Sequence, residues 1–296
     1  MGYDNFNPYY DPRLKRARAA VLAKLGISVM EGDLRDQQRL TEAVEHHQAT
    51  HFLHLAAQAG VRHSLSHPHT YLQSNIEGFL NVLEICRRFP SMPLVYASSS
   101  SVYGSNRETP FSIRDRTDHP TSFYGVTKKT NEMMAQVYHD LFGISVTGLR
   151  FFTVYGPWGR PDMAYFYFAH AISEGRPIEL FNHGRMERDF THIQDIVSGT
   201  AAAVDHSYPH AIFNLGHHRP ETLLDLIALL ERELGLKAQK IFSPMQLGDM
   251  LTTHADIKES ITQLGFIPKV SLEEGIKDFV KWYKEDYARI GDIALF

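Results

Sequence analysis

The chain has 296 residues, of which 43% are hydrophobic and 22% charged, and its formal net charge is −4. This composition is typical of a globular protein with one large core or two joined domains, and it excludes a largely disordered chain. The small negative charge argues against nucleic acid or an anionic membrane as a partner, because no tract rich in Lys and Arg appears.

Cysteine, histidine and apolar runs give further expectations. The single cysteine, Cys86, falls in an apolar helical pattern, which favours a buried structural thiol in a reducing compartment. No apolar run reaches the length of a membrane span and the N-terminus resembles no signal peptide, so we expect a cytoplasmic protein. The seventeen histidines lack the partners and spacing of zinc sites, so we expect no metal.

The first half of the chain alternates predicted helices and strands. Asp11 and Pro12 predict the start of a helix that runs from residue 13 to 25 and ends at Gly26. Strands are predicted at 27–30, 51–55, 93–97 and 144–149, and further helices at 37–46, 68–89 and 123–141. Strands that alternate with long helices indicate a parallel sheet with right-handed crossovers. The sequence therefore predicts a doubly wound α/β fold of the Rossmann type.

Ligands of such a sheet bind beyond the carboxyl ends of its strands. The segments predicted at those ends are 32–33, 55–57, 98–101 and 151–153. They contain most of the unusual polar residues of this half, including a run of four serines at 98–101.

The pattern changes after residue 153. A turn-rich loop at 154–163 is followed by predicted helices at 164–174, 221–234, 255–264 and 272–285. We predict a dinucleotide-binding domain at 1–155, to which residues 190–215 return, and a smaller substrate-binding lobe at 156–296.

Tyr124 and Lys128 form a candidate catalytic pair. They lie four residues apart in the predicted helix 123–141, so their side chains share one face and are one turn apart. Free tyrosine loses its proton near pH ~10, and a nearby ammonium together with a bound cationic cofactor shifts this pKa toward neutrality. The pair predicts a tyrosine that acts as a general base, although the spacing alone is common by chance.

Four longer strings carry a resemblance to a known family. They are 4–12 (DNFNPYYDP), 96–104 (YASSSSVYG), 150–163 (RFFTVYGPWGRPDM) and 188–191 (RDFT). With Tyr124 and Lys128 between them, the chain resembles the extended short-chain dehydrogenase/reductase family over nearly its whole length. Within that family it resembles the UDP-glucuronate 4-epimerases.

The resemblance implies an NAD-dependent reaction through a 4-keto sugar. Tyr124 as phenolate would take the proton of the sugar 4-hydroxyl while hydride leaves C4 for the nicotinamide. Lys128 would hold the nicotinamide ribose and lower the pKa of Tyr124, and Ser99, or else Ser100, would hydrogen-bond the reacting oxygen. NAD would stay bound because the net redox change is zero. Relatives form homodimers through the helices that correspond to 68–89 and 123–141.

The resemblance also assigns the cofactor contacts. Those at the adenosine end are Asp4 and Asn5 on the ribose and Asp33 and Leu34 beside the adenine. Those further along the cofactor are Leu55, Ala56, Ala57, Asn75 and Phe152. For the apolar members, ordinary packing at strand ends is the alternative that the residues alone favour.

Arg160 and Thr153 are the residues expected to choose the substrate. The resemblance implies that both bind the glucuronate carboxylate, which a neutral hexose lacks. Arg188 would meet the UDP phosphates, and Asp249 matches a nucleotide-contacting position. As isolated residues, both arginines would more often form surface ion pairs.

Two departures from the family pattern and several alternatives stay open. The G-x-x-G-x-x-G turn after a first strand is missing, so we expect an N-terminally truncated member with exposed sheet edges and a weakened cofactor site. A smaller departure is Leu247, where the family has proline. The alternatives are a neutral-sugar enzyme such as UDP-glucose 4-epimerase, or an inactive sugar-nucleotide-binding protein. A dehydratase is disfavoured because the serine run contains no acid.

Overall fold

The computed structural model describes residues 1–245 and 250–290. Its strands are β1 (Gly2–Asp4), β2 (Val29–Glu31), β3 (Phe52–His54), β4 (Leu94–Ser99), β5 (Val146–Phe151), β6 (Thr153–Tyr155), β7 (Ile178–Leu180), β8 (Glu187–His192), β9 (His210–Leu215), β10 (Pro220–Thr222) and β11 (Lys240–Phe242). Its helices are α1 (Pro12–Lys24), α2 (Gln37–His46), α3 (Val61–Ser66), α4 (Pro68–Tyr71), α5 (Gly78–Arg88), α6 (Phe123–Phe142), α7 (Ala164–Ser173), α8 (Ile193–Asp205), α9 (Leu223–Leu234), α10 (Lys258–Leu264), α11 (Leu272–Trp282) and α12 (Ala288–Ile290).

The main sheet has the strand order β3-β4-β5-β9, and all its strands are parallel. All of β4 is buried, and its side chains alternate between two cores. Leu94 and Tyr96 pack with α2 and α5 on one face, whereas Val95 packs with α8 and α10 on the other. Helices cover both faces, as a parallel sheet requires. The prediction of a doubly wound α/β fold is confirmed.

A second, two-stranded parallel sheet pairs β1 with β2. The loop after β1 leads into α1, whose cap is the predicted one: the Asp11 carboxylate accepts a hydrogen bond from Arg13 N at 2.9 Å and Pro12 is the first helical residue. Within the described residues, β3 hydrogen-bonds to β4 alone, and Leu53 beside its free edge is 42% exposed.

The second half of the chain forms a separate apolar core rich in aromatic residues. Phe166 of α7, Leu226 of α9 and Phe279 of α11 meet at its centre. Beside this core lies the sheet β10-β8-β6, in which β6 and β8 are parallel and β8 and β10 antiparallel. Only Phe152 separates β6 from the end of β5, so the two halves meet at the tip of the main sheet.

Two predicted helices differ from the structure, and a third helix was not predicted. The helix expected at 68–89 is interrupted by a π-helical turn at Leu72–Glu77. The helix expected from residue 255 begins at Lys258, because Ala255 forms a β-bridge with Phe111. The helix α8 (Ile193–Asp205) was not predicted; it leads into β9, which pairs with β5. The division into domains at residue 155 stays a prediction. In residues 1–245 and 250–290, no helix combines the length and apolarity needed to span a bilayer.

Candidate active site

A cavity of about 950 Å³ lies at the carboxyl ends of β4 and β5, where the fold predicts a ligand. The predicted catalytic and substrate residues on its wall are Ser99, Ser100, Tyr124, Lys128, Thr153, Arg160 and Arg188, together with the predicted cofactor residues Leu55, Ala57 and Phe152. These residues come from six separate segments of the chain. The structure therefore brings together most of the site that the sequence predicted.

Tyr124 stands at the first turn of α6. Ser122 caps this helix by accepting a hydrogen bond from Gly125 N at 3.0 Å. The cap fixes the start of α6 and with it the position of Tyr124. Its ring meets Tyr71 edge to face, with centroids 6.1 Å apart. Burial raises the pKa of Tyr124 above its ordinary value, while the charge of Arg160 and a hydrogen bond with Ser99 partly oppose that rise. The phenol is thus protonated at neutral pH unless further positive charge approaches it.

Lys128 lies one turn further along α6 and is almost fully buried. Its ammonium donates a hydrogen bond to Ala97 O at 2.8 Å, at the end of β4. Burial lowers the pKa of Lys128 to about 8. Arg160 is the nearby charge that opposes the raised pKa of Tyr124, and the effect of Lys128 on this pKa stays a prediction.

The serines at the end of β4 face in different directions. Ser99 lines the cavity, where its hydroxyl contacts Tyr124 and donates to Ser101 Oγ at 3.1 Å. Ser98 also lines the cavity, but its hydroxyl donates to Glu132 Oε1 at 2.6 Å and not to Tyr124. Ser100 begins a short 3₁₀ turn and also lines the cavity. The geometry favours Ser99 as the hydroxyl that acts with Tyr124.

A buried ion pair lies behind the catalytic face. Arg150 binds both oxygens of Glu132, through Nε at 2.8 Å and Nη2 at 2.9 Å. Arg150 Nη1 also donates to Tyr103 Oη at 3.0 Å, and that hydroxyl donates to Asn214 Oδ1 at 2.7 Å. The network joins α6 to β4, β5 and β9, the elements on which the site is built.

Arg160 lies in the loop after β6 and is partly exposed. Its Nη1 is 3.3 Å from Asp162 Oδ2, and Tyr9 Oη donates to the same oxygen at 3.3 Å. One edge of the Arg160 guanidinium is thus paired with a carboxylate. Its charge also acts on Tyr124, so the two side chains lie close together. Thr153 opens β6 on the same cavity wall.

Arg188 lies on the cavity wall, whereas its neighbour Asp189 is fully buried and does not line the cavity. Arg188 donates to Glu187 O at 2.8 Å and to Leu251 O at 3.2 Å. The buried Asp189 carboxylate accepts backbone N–H groups from His217, His218 and Ala255. One side chain thus holds two loops that are distant in sequence. The predicted residue Asp249 lies outside the described residues.

A second cavity of about 340 Å³ adjoins the first. Seven of the predicted cofactor residues line it, namely Asp4, Asn5, Asp33, Leu34, Leu55, Ala56 and Ala57. Asp4 Oδ1 accepts a hydrogen bond from Phe6 N at 2.7 Å. Hydrogen bonds from Arg35 lower the pKa of Asp33 to about 2, with a smaller contribution from Asn5. This carboxylate is therefore ionised at neutral pH.

Asn75, also predicted to bind the cofactor, lines neither cavity. It lies in the π-helical turn and is fully buried, where its amide bonds Gln58 N at 2.8 Å, Gln58 O at 3.0 Å and Thr127 Oγ1 at 3.0 Å. Its backbone carbonyl accepts from Asn131 Nδ2 at 2.7 Å. In this structure Asn75 holds the loop 56–60 against α6, so it acts on the cavity wall from behind.

Sequence reasoning missed one wall of the smaller cavity. Lys15, Arg18, Ala19 and Leu22 of α1 line it, and Arg18 lines the larger cavity as well. The signal was present in their spacing of three, four and seven residues, which places all four on one helical face. The helix that carries this face begins at Pro12, the last residue of the DNFNPYYDP string.

Comparison with known proteins identifies the family. The family model described as "Epimerase: NAD dependent epimerase/dehydratase family" matches residues 9–216. UDP-glucuronate 4-epimerase 4 of Arabidopsis thaliana is 48% identical over 306 residues, covering 97% of this chain and 70% of that protein.

Solved structures give the same result. The crystal structure of UDP-glucuronic acid 4-epimerase from Bacillus cereus, in complex with UDP-glucuronic acid and NAD, superposes with a TM-score of 0.88 at 32% identity and covers 96% of this chain and 90% of that one. MoeE5 in complex with UDP-glucuronic acid and NAD gives a TM-score of 0.84 at 28% identity, with 96% and 99% covered. The chain belongs to the NAD-dependent epimerase/dehydratase family.

Proposed function

We propose that the chain is an NAD-dependent epimerase that converts UDP-glucuronate into UDP-galacturonate through a 4-keto intermediate. The observation that carries the proposal is that Tyr124, Ser99 and Arg160 face one cavity. They supply a proton acceptor, a hydroxyl partner and a cation for a carboxylate. The family match and the likeness to UDP-glucuronate 4-epimerases support the proposal.

The two adjoining cavities fit a dinucleotide. When bound, NAD would supply the hydride acceptor and donor for the sugar C4. Tyr124 and Lys128 line the larger cavity, and Asp4 lines the smaller one. The Asp4 oxygen that is not bonded to Phe6 N can accept hydrogen bonds from the hydroxyls of an adenosine ribose. A carboxylate at that position repels a 2′-phosphate, so it favours NAD over NADP.

Tyr124 is the proposed acid and base. It takes the proton from the 4-hydroxyl as C4 is oxidised and returns a proton to the oxygen after the ketone has turned over. Ser99 donates a hydrogen bond to the same oxygen in each state. Burial raises the pKa of Tyr124 even with Arg160 close to it, so the phenol needs further positive charge before it can accept this proton.

Lys128 is the proposed anchor of the nicotinamide ribose. Its bond to Ala97 O uses one of three N–H groups, which leaves two donors at the cavity wall for ribose hydroxyls. Its pKa of about 8, lowered by burial, leaves it mainly charged at pH 7.

Arg160 and Thr153 are the proposed carboxylate site. A 4-keto uronate is a β-keto acid. It loses CO2 when the bond between C5 and the carboxylate carbon overlaps the π orbital of the C4 ketone. Binding of the carboxylate by a guanidinium that Asp162 already holds in place limits this overlap during turnover. Arg188 on the cavity wall is proposed to meet the UDP phosphates, and Asp249 stays a prediction.

The test compares two substrates. Purified protein is incubated with UDP-glucuronate or UDP-glucose, and the 4-epimers are followed by proton NMR. We expect faster conversion of UDP-glucuronate, and we expect Arg160→Ala to remove most of that preference. Arg114→Ala, at an exposed ion pair with Glu259, is the control. A preference for UDP-glucose would identify a neutral-sugar epimerase, and UDP binding without turnover would identify an inactive binding protein.

We also propose that the chain forms a homodimer through α6. Val126, Met133, Val137 and Leu141 form an exposed apolar row along this helix, at spacings of seven, four and four residues. Leu80 of the neighbouring α5 is exposed as well. Such a row on a long helix is typical of a helix-packing interface. The cytoplasmic location stays a prediction.

A further inference from the structure

The wall between the two cavities is made of five residues that line both. Three are apolar, namely Leu55, Ala57 and Ala59, and two are arginines, Arg18 and Arg160. One cavity contains the proposed adenosine residues Asp4 and Asp33, and the other contains the proposed catalytic residues. A ligand that occupies both cavities must cross this wall beside the two arginines.

The two arginines differ in their partners. Arg160 is paired with the Asp162 carboxylate at 3.3 Å. Arg18 donates to two neutral oxygens, Tyr10 Oη at 2.6 Å and Gly159 O at 2.9 Å. Its Nε is buried and has no acceptor in residues 1–245 and 250–290, and within the same residues no carboxylate lies within 4 Å of its charge. The guanidinium also lies over the Tyr10 ring, 5.6 Å from its centroid, so neutral groups hold it in place and no carboxylate of the described residues balances its charge.

A second cation stands behind Arg18 on the same helical face. Lys15 lines the smaller cavity, and burial lowers its pKa below the ordinary value. Asp4 opposes this shift, while the charges of Arg18 and Arg160 add to it, so Lys15 is close enough to be repelled by both arginines. Repulsion between the cations of such a cluster destabilises the protein, and a bound anion reduces this repulsion.

We propose that Arg18, supported by Lys15, binds the pyrophosphate of the dinucleotide at the junction of the two cavities. The inference rests on NAD being the cofactor, as in the proposed function. A pyrophosphate is the anionic centre of a dinucleotide, and it lies between the adenosine and the nicotinamide ribose. A guanidinium fixed through two of its nitrogens presents the remaining N–H groups to phosphate oxygens with little loss of entropy.

The substrate also carries a pyrophosphate, so the test must separate the two sources. Calorimetric titrations with ADP-ribose and with UDP are made on the wild type, Arg18→Gln and Arg16→Gln. Arg16 is the matched control because it lies on the same helix, is exposed and pairs with Glu31. We expect Arg18→Gln to weaken ADP-ribose binding about 10- to 100-fold, as the loss of a charge-assisted hydrogen bond predicts, and to leave UDP binding unchanged. Arg16→Gln should leave both affinities unchanged.

A further variant separates binding from a purely structural role. Arg18→Lys keeps the charge but cannot hold both Tyr10 and Gly159. If the charge binds phosphate, this variant recovers most of the ADP-ribose affinity, and raising the salt concentration weakens ADP-ribose binding more in the wild type than in Arg18→Gln. If Arg18 only braces the loop at Gly159, Arg18→Lys is as weak as Arg18→Gln, and the proposal is overturned.

Three other results also overturn the proposal: unchanged ADP-ribose affinity in Arg18→Gln, a loss confined to UDP, or absence of ADP-ribose binding by the wild type. Failure of the proposed function looks different. A wild type that binds ADP-ribose through Arg18 but does not epimerise UDP-glucuronate leaves this inference intact.

Discussion

Arg150 holds Glu132 through two parallel hydrogen bonds, and both side chains are at most 3% exposed. The pair fixes the helix that carries Tyr124 and Lys128 to the strand that leads to Phe152 and Thr153. This buried ion pair therefore helps to fix the position of α6 relative to β5.

Loss of one partner of this pair should destabilise the protein strongly. Glu132→Gln keeps the shape of the side chain but leaves the Arg150 charge buried without compensation, which costs about 3–5 kcal/mol in proteins. The measurement is urea-induced unfolding at pH 7. Glu45→Gln is the control, because its pair with Arg88 is exposed and such pairs contribute about 0–1 kcal/mol. Equal effects of the two substitutions would show that the buried pair is not a principal constraint.

Removal of the Tyr124 hydroxyl should stop the reaction without preventing binding. Tyr124→Phe keeps the ring against Tyr71 but lacks the proton acceptor, so we expect kcat to fall by about 10²–10⁴. UDP affinity, measured by calorimetry, should stay the same. Tyr71→Phe is the control, since it loses only a bond to Gly60 O and keeps the base. Substantial turnover by Tyr124→Phe would assign the proton transfer to another group.

The buried Lys128 should make stability depend on pH in a specific window. Its pKa of about 8 in the folded protein is below its ordinary value of 10.5, so between these values the unfolded state binds more protons. The contribution of Lys128 to the free energy of unfolding therefore rises as pH increases from about 8 to 10.5. Below pH 8 the buried charge lowers the free energy of unfolding by a constant amount of roughly 3 kcal/mol.

Lys128→Met tests this expectation because it removes the charge and keeps the length of the side chain. At pH 7 the variant should be more stable than the wild type by about 2 kcal/mol, since the loss of the bond to Ala97 O offsets part of the gain. Urea unfolding at pH 7, 9 and 10.5 should show this difference shrink with rising pH. A difference that does not change with pH would contradict the burial of a charged lysine.

A charge placed in the exposed row of α6 should separate the proposed dimer. Val137 is 50% exposed at the middle of that row, and Val137→Arg should give a monomer in light scattering after gel filtration. Ile267→Arg is the control, because Ile267 is 60% exposed in a loop away from α6. A monomeric wild type, or a dimer that persists in Val137→Arg, would exclude this interface.

Local signals in the sequence predicted most of the elements and the outline of the site. The helix α2 has the predicted bounds, and α1 has the predicted cap at Asp11, because both depend on neighbouring residues. The helix α8 was missed because its run of Ser, Gly, Thr and Ala residues weakens the apolar period.

Contacts between distant segments could not be read from local patterns. Arg18 meets Gly159 across 141 residues of chain, and Asn75 meets Thr127 across 52. Such contacts place Arg18 between the cavities and Asn75 behind the wall, whereas the resemblance had placed Asn75 on the cofactor. The folded loop likewise brings the charge of Arg160 close to Tyr124, which the helical spacing of Tyr124 and Lys128 could not predict.

The Asp189 carboxylate joins the loops at His217 and Ala255 through backbone groups alone, so side chains in both loops can change without loss of the joint. The two loops are therefore held together as one unit next to Arg188. An exchange of substrate preference between relatives should succeed when both loops are transplanted together, and it should fail when either one is moved without the other.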